Sequence, residues 1–199
     1  MNVLVACEES QTVCKAFRDK GHNAYSCDVI SCSGGYPEWH LQMDVRKILD
    51  QDIAPWDLMV AHPPCTYLTV TANRSYINNP RRWALRLKAM LFVHRLLNTD
   101  IPKICLENPV GVISTHVRKP DQIIQPWMFG DSYQKRTCLW LKGLPKLTPT
   151  KIVAPGEFVT FSDGVRMPKW FAEIPSNTKL RSKTFQGIAD AMAAQWGEG

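Results

Sequence analysis

Leu58-Met59-Val60-Ala61-His62-Pro63-Pro64-Cys65-Thr66 is an apolar run that ends in a turn carrying a thiol. Further along, Lys103-Ile104-Cys105-Leu106-Glu107-Asn108-Pro109 repeats the arrangement with a carboxylate. Both apolar runs predict buried strands. In an open α/β sheet the ligand site lies just beyond the carboxyl ends of the strands. A thiol and a carboxylate there supply a nucleophile and a proton-handling group for covalent attack on a ring that is protonated as it is attacked.

Strands and helices alternate on either side of these runs. Residues 2–6, 23–27, 56–61 and 102–106 predict strands, and residues 11–19, a short segment from Asp44, and Pro80–Leu97 predict helices. Strands separated by helices favour parallel βαβ units, so the expected fold class is α/β, with a Rossmann-like, doubly wound, mostly parallel sheet. The helix at Pro80–Leu97 has a predicted buried face at Trp83, Leu87, Met90, Leu91, His94 and Leu97, with Arg81, Arg82, Arg86 and Lys88 on its other face.

The chain changes character after Pro109. Residues 143–180 contain five prolines among Thr, Lys and aromatic residues, without a sustained period, which predicts an irregular, mostly extended insertion. Residues 187–196 predict a closing amphipathic helix. We therefore divide the chain into a core at 1–142, a small basic insertion at 143–181, and a C-terminal segment at 182–199 whose helix returns to the core.

Composition excludes several classes of protein. The 199 residues suffice for one domain with a real core, and no apolar run approaches the ~20 residues that span a bilayer. The N-terminus lacks the features of a signal peptide, so we expect a cytoplasmic protein. We also expect a monomer. The seven cysteines form no C-x-x-C pair, which argues against a disulfide framework. Cys27 and Cys32 with His22 or His40 match no standard zinc spacing, so no metal is expected.

The net charge of +6 is distributed unevenly. Residues 1–117 carry 12 Lys/Arg against 11 Asp/Glu, whereas residues 118–183 carry 12 against 5. A nearly neutral body with one basic stretch suggests a polyanionic partner. A solvated basic face without a partner is the alternative.

The first strand, its turn and the acid that ends the second strand form a nucleotide-binding arrangement. The turn is Ala6-Cys7-Glu8-Glu9-Ser10 and the acid is Asp28. Because the turn contains no glycine and two glutamates would repel phosphate, we expect a cationic cofactor without phosphates, such as S-adenosylmethionine. Glu8 and Glu9 could instead be charges at a helix start. Asp44 could bind an adenine amino group or cap a helix.

These motifs resemble the cytosine-C5 DNA methyltransferases, and most closely the short bacteriophage-type members. The resemblance rests on Pro64-Cys65, Glu107-Asn108, Gln134-Lys135-Arg136 and a segment at 182–187, in the order and spacing of that family. The chain departs from the family at the missing glycine-rich turn, at Thr66, at Pro109 and at Cys138. The resemblance implies the class I fold of methyltransferases that use S-adenosylmethionine, DNA as partner, and location in a bacterial host's cytoplasm.

The resemblance also implies roles for individual residues. On a base flipped out of the duplex, Cys65 would bond C6 of cytosine, Glu107 would contact N3 and the exocyclic amine, and Arg136 would contact O2 or the backbone. Either Arg136 or a helix N-terminus could lower the pKa of the Cys65 thiol. The expected cofactor-binding residues are Ala6, Cys7, Glu8, Glu9, Ser10, Asp28, Val29, Asp44, Val45, His62 and Pro63. The expected DNA-binding residues are Thr66, Asn108, Gln134, Lys135, Arg166, Lys169, Arg181 and Lys183.

Two other functions fit parts of the sequence. His62-Pro63-Pro64-Cys65 is superficially like the Asp/Asn-Pro-Pro-aromatic turn of methyltransferases that act on the exocyclic amine of cytosine or adenine. The missing glycines and second arginine would suit a DNA-binding module that has lost catalysis. For His62, packing behind the site is favoured over a general-base role. Trp127, Trp140 and Trp170 are expected in the core or at its rim rather than under a base.

Overall fold

The computed structural model describes residues 1–51, 55–173 and 183–198. Its main sheet has seven strands in the order β3-β2-β1-β4-β5-β7-β6. All neighbouring pairs are parallel except those of β7, which is antiparallel to β5 and β6. The strand order reverses between β1 and β4, the switch point where ligands bind in such sheets. The strands are β1 (Asn2–Ala6), β2 (Asn23–Asp28), β3 (His40–Gln42), β4 (Leu58–Ala61), β5 (Lys103–Pro109), β6 (Gln122–Ile124) and β7 (Thr137–Lys142).

Helices cover both faces of the sheet, which confirms the predicted doubly wound α/β class. The core on one face includes residues of α1 and α6, and the core on the other face includes residues of α2 and α3. β4 is buried along its whole length because apolar layers lie on both of its sides. The helices are α1 (Thr12–Asp19), α2 (Val45–Gln51), α3 (Pro80–Leu97), α4 (Ile113–His116), α5 (Lys169–Glu173) and α6 (Gln186–Gly197).

The predicted buried face of α3 is only partly right, because Met90 and Leu97 pack against the core but the other four predicted residues are exposed. Arg86, Val93 and Leu96 are its buried residues, whereas Trp83, Leu87 and Leu91 are exposed. The helix has apolar residues on more than one side, and a guanidinium is not expected at a buried position because unpaired charges are costly inside proteins. Arg86 is buried because it finds oxygen partners, as described below. The three-residue strand β3 was also not predicted.

The insertion contains more regular structure than its sequence predicts. Residues Phe158–Thr160 (β8) and Arg166–Pro168 (β9) form an antiparallel hairpin that is followed by α5. The Ser132 hydroxyl donates to the Ala154 carbonyl at 2.7 Å, and the Trp170 indole donates to the Gln134 carbonyl at 3.2 Å. These contacts attach the insertion to the segment that precedes β7. α6 packs on α1, and Trp196 is buried between them and the sheet.

No helix among the described residues is both long and apolar enough to span a membrane.

Candidate active site at the ends of the central strands

The turns that follow β4 and β5 lie side by side. Ala61 is the register partner of Leu106, so β4 ends beside Leu106 while β5 continues to Pro109 against β7, and Glu107 is the first residue of β5 beyond the end of β4. The Asn108 side-chain amide donates to the Pro63 carbonyl at 2.7 Å. This bond ties the turn that carries Cys65 to the strand that carries Glu107.

The Glu107 carboxylate has a histidine partner. Nδ1 of His62 lies 3.3 Å from Oε2 of Glu107, and both side chains are mostly buried. Burial raises the pKa of Glu107, but the hydrogen bond from His62 and the positive charges of Lys135 and His62 outweigh it, so the net pKa is lowered. Glu107 is therefore ionised at neutral pH, and its Oε2 accepts a hydrogen bond from Nδ1–H of His62. Nε2 of His62 is buried without a hydrogen-bond partner among the described residues.

The Cys65 thiol is half-buried. Burial and the negative charge of Glu107 raise its pKa, and Lys135 and the backbone N–H of Cys65 itself oppose that rise only in part. The expectation that Arg136 lowers this pKa is therefore wrong. Arg136 is exposed, and its charge acts on Cys138 instead. Lys135 is the cation whose charge reaches both Cys65 and Glu107.

Asn108 was expected to contact DNA. The residue is 1% exposed and its amide holds the Pro63 carbonyl, so its side chain cannot reach a duplex outside the protein. Gln134 likewise uses its side chain inside the molecule, where Nε2 donates to the Gly156 carbonyl at 2.7 Å. Both residues hold neighbouring segments in place.

The remaining DNA-binding candidates that the structure describes lie on the surface, apart from Lys135. Thr66 and Lys183 are exposed, and the Lys183 carbonyl accepts from Nζ of the half-buried Lys135 at 3.4 Å. Arg166 stacks over the Phe158 ring at 4.4 Å. Lys169 pairs with Glu157 at 3.0 Å. Arg181 lies outside the described residues.

The glycine-free turn after β1 achieves its shape with left-handed backbone at non-glycine residues. Cys7 has φ 60° and Gln11 has φ 57°, a region that is uncommon for residues with a Cβ. The Glu8 carboxylate accepts from the backbone N–H groups of Val13 at 2.7 Å and Cys14 at 3.1 Å. Glu8 therefore caps α1, which supports the helix-start interpretation for this residue.

Acidic groups surround the end of β1. Burial, followed by the charges of Asp28, Cys27 and Asp44, raises the pKa of Cys7, so both aspartates lie near this turn. Oε2 of Glu9 is buried without a hydrogen-bond partner among the described residues. An orphaned carboxylate oxygen and Asp28 suit a cationic ligand better than a phosphate.

Other residues of this corner are less available to a ligand. Asp44 pairs with the Arg46 guanidinium, and the Ser10 hydroxyl lies 3.1 Å from that of Thr12. Val29 is 65% exposed beside Asp28. The side chains of Ala6, Val45 and Pro63 are buried, so only their backbone groups could line a cofactor site.

Metal ligands are not assembled in the described part of the chain. No group of three or more His, Cys, Asp or Glu residues there could hold a metal ion. The cysteines described are all free.

Sequence reasoning missed two features of the site. One is the contact between His62 and Glu107, which the position of His62 directly after β4 could have indicated. The other is the group of residues around Arg86, for which the sequence carries no simple signal because the partners are mostly backbone carbonyls.

No family model and no curated protein matches the chain. Among solved structures, the Entamoeba histolytica methyltransferase EhMeth matches with a TM-score of 0.52 and 14% identity, over 77% of this chain and 57% of that one. A prophage-encoded E. coli protein, described as a DNA modification methyltransferase, matches with a TM-score of 0.48 and 13% identity, over 77% of this chain and 52% of that one. The chain thus spans just over half the length of these structures. Together with the strand order, the match to EhMeth shows an α/β Rossmann-like fold of the methyltransferase kind.

Proposed function

We propose that this protein transfers a methyl group from S-adenosylmethionine to C5 of cytosine in DNA. The observation that carries the proposal is the meeting of the Cys65 thiol and the Glu107 carboxylate at neighbouring strand ends, beside the switch point of the sheet. The two groups are close enough for the charge of one to shift the pKa of the other. A nucleophile and an acid at one pyrimidine are what this reaction requires.

The corner next to this pair fits the proposed cofactor. Glu9 and Asp28 supply negative charge, and exposed Val29 supplies apolar surface for a base. S-adenosylmethionine bound there would supply an electrophilic methyl group. The chain's own residues hold the sulfonium and amine charges and keep phosphate away.

The chemistry of the cytosine ring is assigned to three side chains. The Cys65 thiol gives its proton to the Glu107 carboxylate, and the thiolate sulfur bonds C6 while the electron pair of the C5–C6 double bond moves towards C5 and N3. Glu107 accepts a hydrogen bond from the exocyclic amine and gives the proton to N3, from which it takes the proton back when the thiolate leaves. His62 holds the carboxylate in place. After C5 has gained a methyl group and lost its proton to solvent, the bond from sulfur to C6 breaks and the double bond is restored.

A mechanism-based trap tests the proposal. Purified protein is incubated with S-adenosylmethionine and a duplex containing 5-fluorocytosine, whose fluorine blocks elimination. We expect a denaturation-resistant adduct that Cys65→Ser abolishes and Cys32→Ser, a control in an outer loop, retains. Absence of an adduct from the folded wild-type protein across duplexes of varied sequence would contradict the proposal.

A DNA-binding module without catalysis is the second candidate. The raised pKa of Cys65 favours it, because little thiolate is present at neutral pH. Such a module would bind the duplex equally well as wild type and as Cys65→Ser, with no adduct and no 5-methylcytosine in the DNA of an expressing host. Methylation of an exocyclic amine would appear as N4-methylcytosine or N6-methyladenine, still without an adduct.

The domain division follows from the same proposal. The core at 1–142 holds the catalytic pair and the cofactor corner, the insertion at 143–181 contacts DNA, and the segment at 182–199 closes the core. We further propose that the protein acts as a monomer in the cytoplasm.

A further inference from the structure

The segment that follows Cys65 is held in a turn. The Cys65 carbonyl accepts from the backbone N–H groups of Leu68 at 2.9 Å and Thr69 at 3.1 Å. The carbonyls of the next residues are bound from two sides. Those of Tyr67 and Thr69 face α3, and that of Leu68 faces the segment after β5.

Arg86 of α3 binds the first side. Its Nε donates to the Tyr67 carbonyl at 2.9 Å, and its Nη2 donates to the Thr69 carbonyl at 3.4 Å and to Oδ1 of Asn73 at 3.0 Å. The guanidinium also lies 3.5 Å from the centre of the Tyr76 ring. Arg86 is 4% exposed, and no carboxylate in the described residues forms an ion pair with it. A buried cation is tolerated only when its donors are satisfied, and here the segment after the thiol binds Nε and Nη2.

The second side is bound by the chain that follows Glu107. The Val112 N–H donates to the Leu68 carbonyl at 2.8 Å, and Gly111 bridges to Thr69. A Cβ on Gly111 would lie 2.1 Å from the Leu68 oxygen, so only glycine permits this approach. With the bond from Asn108 to Pro63, the strand of Glu107 is tied to the chain both before and after Cys65.

We propose that Arg86 is a positioning residue that fixes the Cys65 turn against the strand carrying Glu107. Its planar guanidinium group donates to two carbonyls and an amide oxygen at once, which a lysine ammonium cannot reproduce with the same geometry. The contacts of Arg86 fix the place of the thiol whatever the reaction, whereas the effect of this placement on catalysis rests on the proposed function. Without the guanidinium group, the turn loosens towards solvent and the thiol leaves its place beside Glu107.

The test uses the full chain with Arg86→Lys and two readouts. The first is the pH profile of Cys65 alkylation by iodoacetamide, followed by mass spectrometry of tryptic peptide 48–74, in which Cys65 is the only cysteine. Because burial and Glu107 raise this pKa, we expect the midpoint to fall towards the ordinary thiol value and the rate at pH 8 to rise. The second is methyl transfer, where we expect kcat to fall about tenfold or more, with an unchanged KM for the cofactor.

Two further variants keep the test decisive. Tyr76→Phe removes the hydroxyl that donates to the Tyr67 carbonyl at 3.0 Å but keeps the ring under the guanidinium. It should shift the pH profile of Cys65 alkylation in the same direction as Arg86→Lys, but by less. This variant gives a result even if Arg86→Lys does not fold. Val93→Ala lowers Tm from the core side of the same helix and should leave the profile unchanged.

The proposal would be overturned if Cys65 had the wild-type pH profile of alkylation in both Arg86→Lys and Tyr76→Phe. It would also be overturned if Val93→Ala shifted that profile as much as they do. A shifted profile in a protein without methyl transfer would instead retain the placement and reject the proposed function.

Discussion

At the residue scale, Cys65 and Glu107 oppose each other's ionisation. The carboxylate is held ionised by His62 and Lys135, and its charge helps to keep the neighbouring thiol protonated. The thiolate is the nucleophile, so the same contact that places an acid at the base also slows the attack. Lys135 moderates this conflict, because its positive charge favours both the Cys65 thiolate and the Glu107 carboxylate.

The conflict predicts opposite effects of two substitutions on the reactivity of Cys65. Glu107→Gln removes the negative neighbour, so the pKa of the thiol falls and alkylation at pH 8 becomes faster, although methyl transfer is lost. Lys135→Ala removes the positive neighbour, so the pKa rises and alkylation becomes slower. In the wild-type protein the rate should rise about tenfold per pH unit between 7 and 9, since the raised pKa leaves the thiol mostly protonated there.

Site-resolved alkylation of peptide 48–74 measures all three proteins, and Lys142→Ala on β7 serves as a charge control away from the site. Equal alkylation rates in Glu107→Gln and Lys135→Ala would show that the two charges do not act on the thiol.

At the element scale, the turn after β1 separates the roles of two adjacent glutamates. Glu8 satisfies two N–H groups at the start of α1, whereas Glu9 leaves a buried oxygen without a partner. Glu8→Ala should lower the free energy of unfolding by about 1–2 kcal/mol, as the loss of a helix cap does. Glu9→Ala should leave it unchanged or raise it, because an unpaired buried oxygen is removed.

Urea unfolding measures the first effect, and titration calorimetry with S-adenosylmethionine measures whether Glu9→Ala weakens binding. Weaker cofactor binding in Glu8→Ala at unchanged stability would reverse these roles.

Substitutions on two sides of α3 test which side supports the fold. Leu96 is fully buried against the sheet, and Leu91 on the other side is 71% exposed. Leu96→Ala should cost about 2–5 kcal/mol of stability, whereas Leu91→Ala should change it by no more than about 0.5 kcal/mol. Thermal and urea unfolding compare the two variants directly. Equal losses would mean that the exposed side is covered in solution.

At the scale of the whole molecule, the sequence predicts the fold well and the site only in outline. Alternating apolar runs and helical periods predict the parallel sheet, since strand burial and connection length are local properties. The positions of Cys65 and Glu107 follow from the same patterns. Among their neighbours, His62 is indicated by its position directly after β4, whereas Lys135 and Arg86 are brought to this region by tertiary packing. The faces of α3 were mispredicted because its periodicity allows more than one face and a charged residue took the buried position.

The uneven charge predicts how the molecule would hold DNA. Each phosphate contact that is lost should reduce the slope of log K against log salt concentration by about 0.9. Arg166→Ala removes an exposed cation of the hairpin formed by β8 and β9, and should lower the slope by about that amount. The double variant Glu157→Ala, Lys169→Ala removes a pair that is already neutral, and should lower it far less. Fluorescence anisotropy of a labelled duplex, measured between about 50 and 200 mM salt, gives this slope for each variant. An unchanged slope in Arg166→Ala would place the DNA elsewhere than on this hairpin.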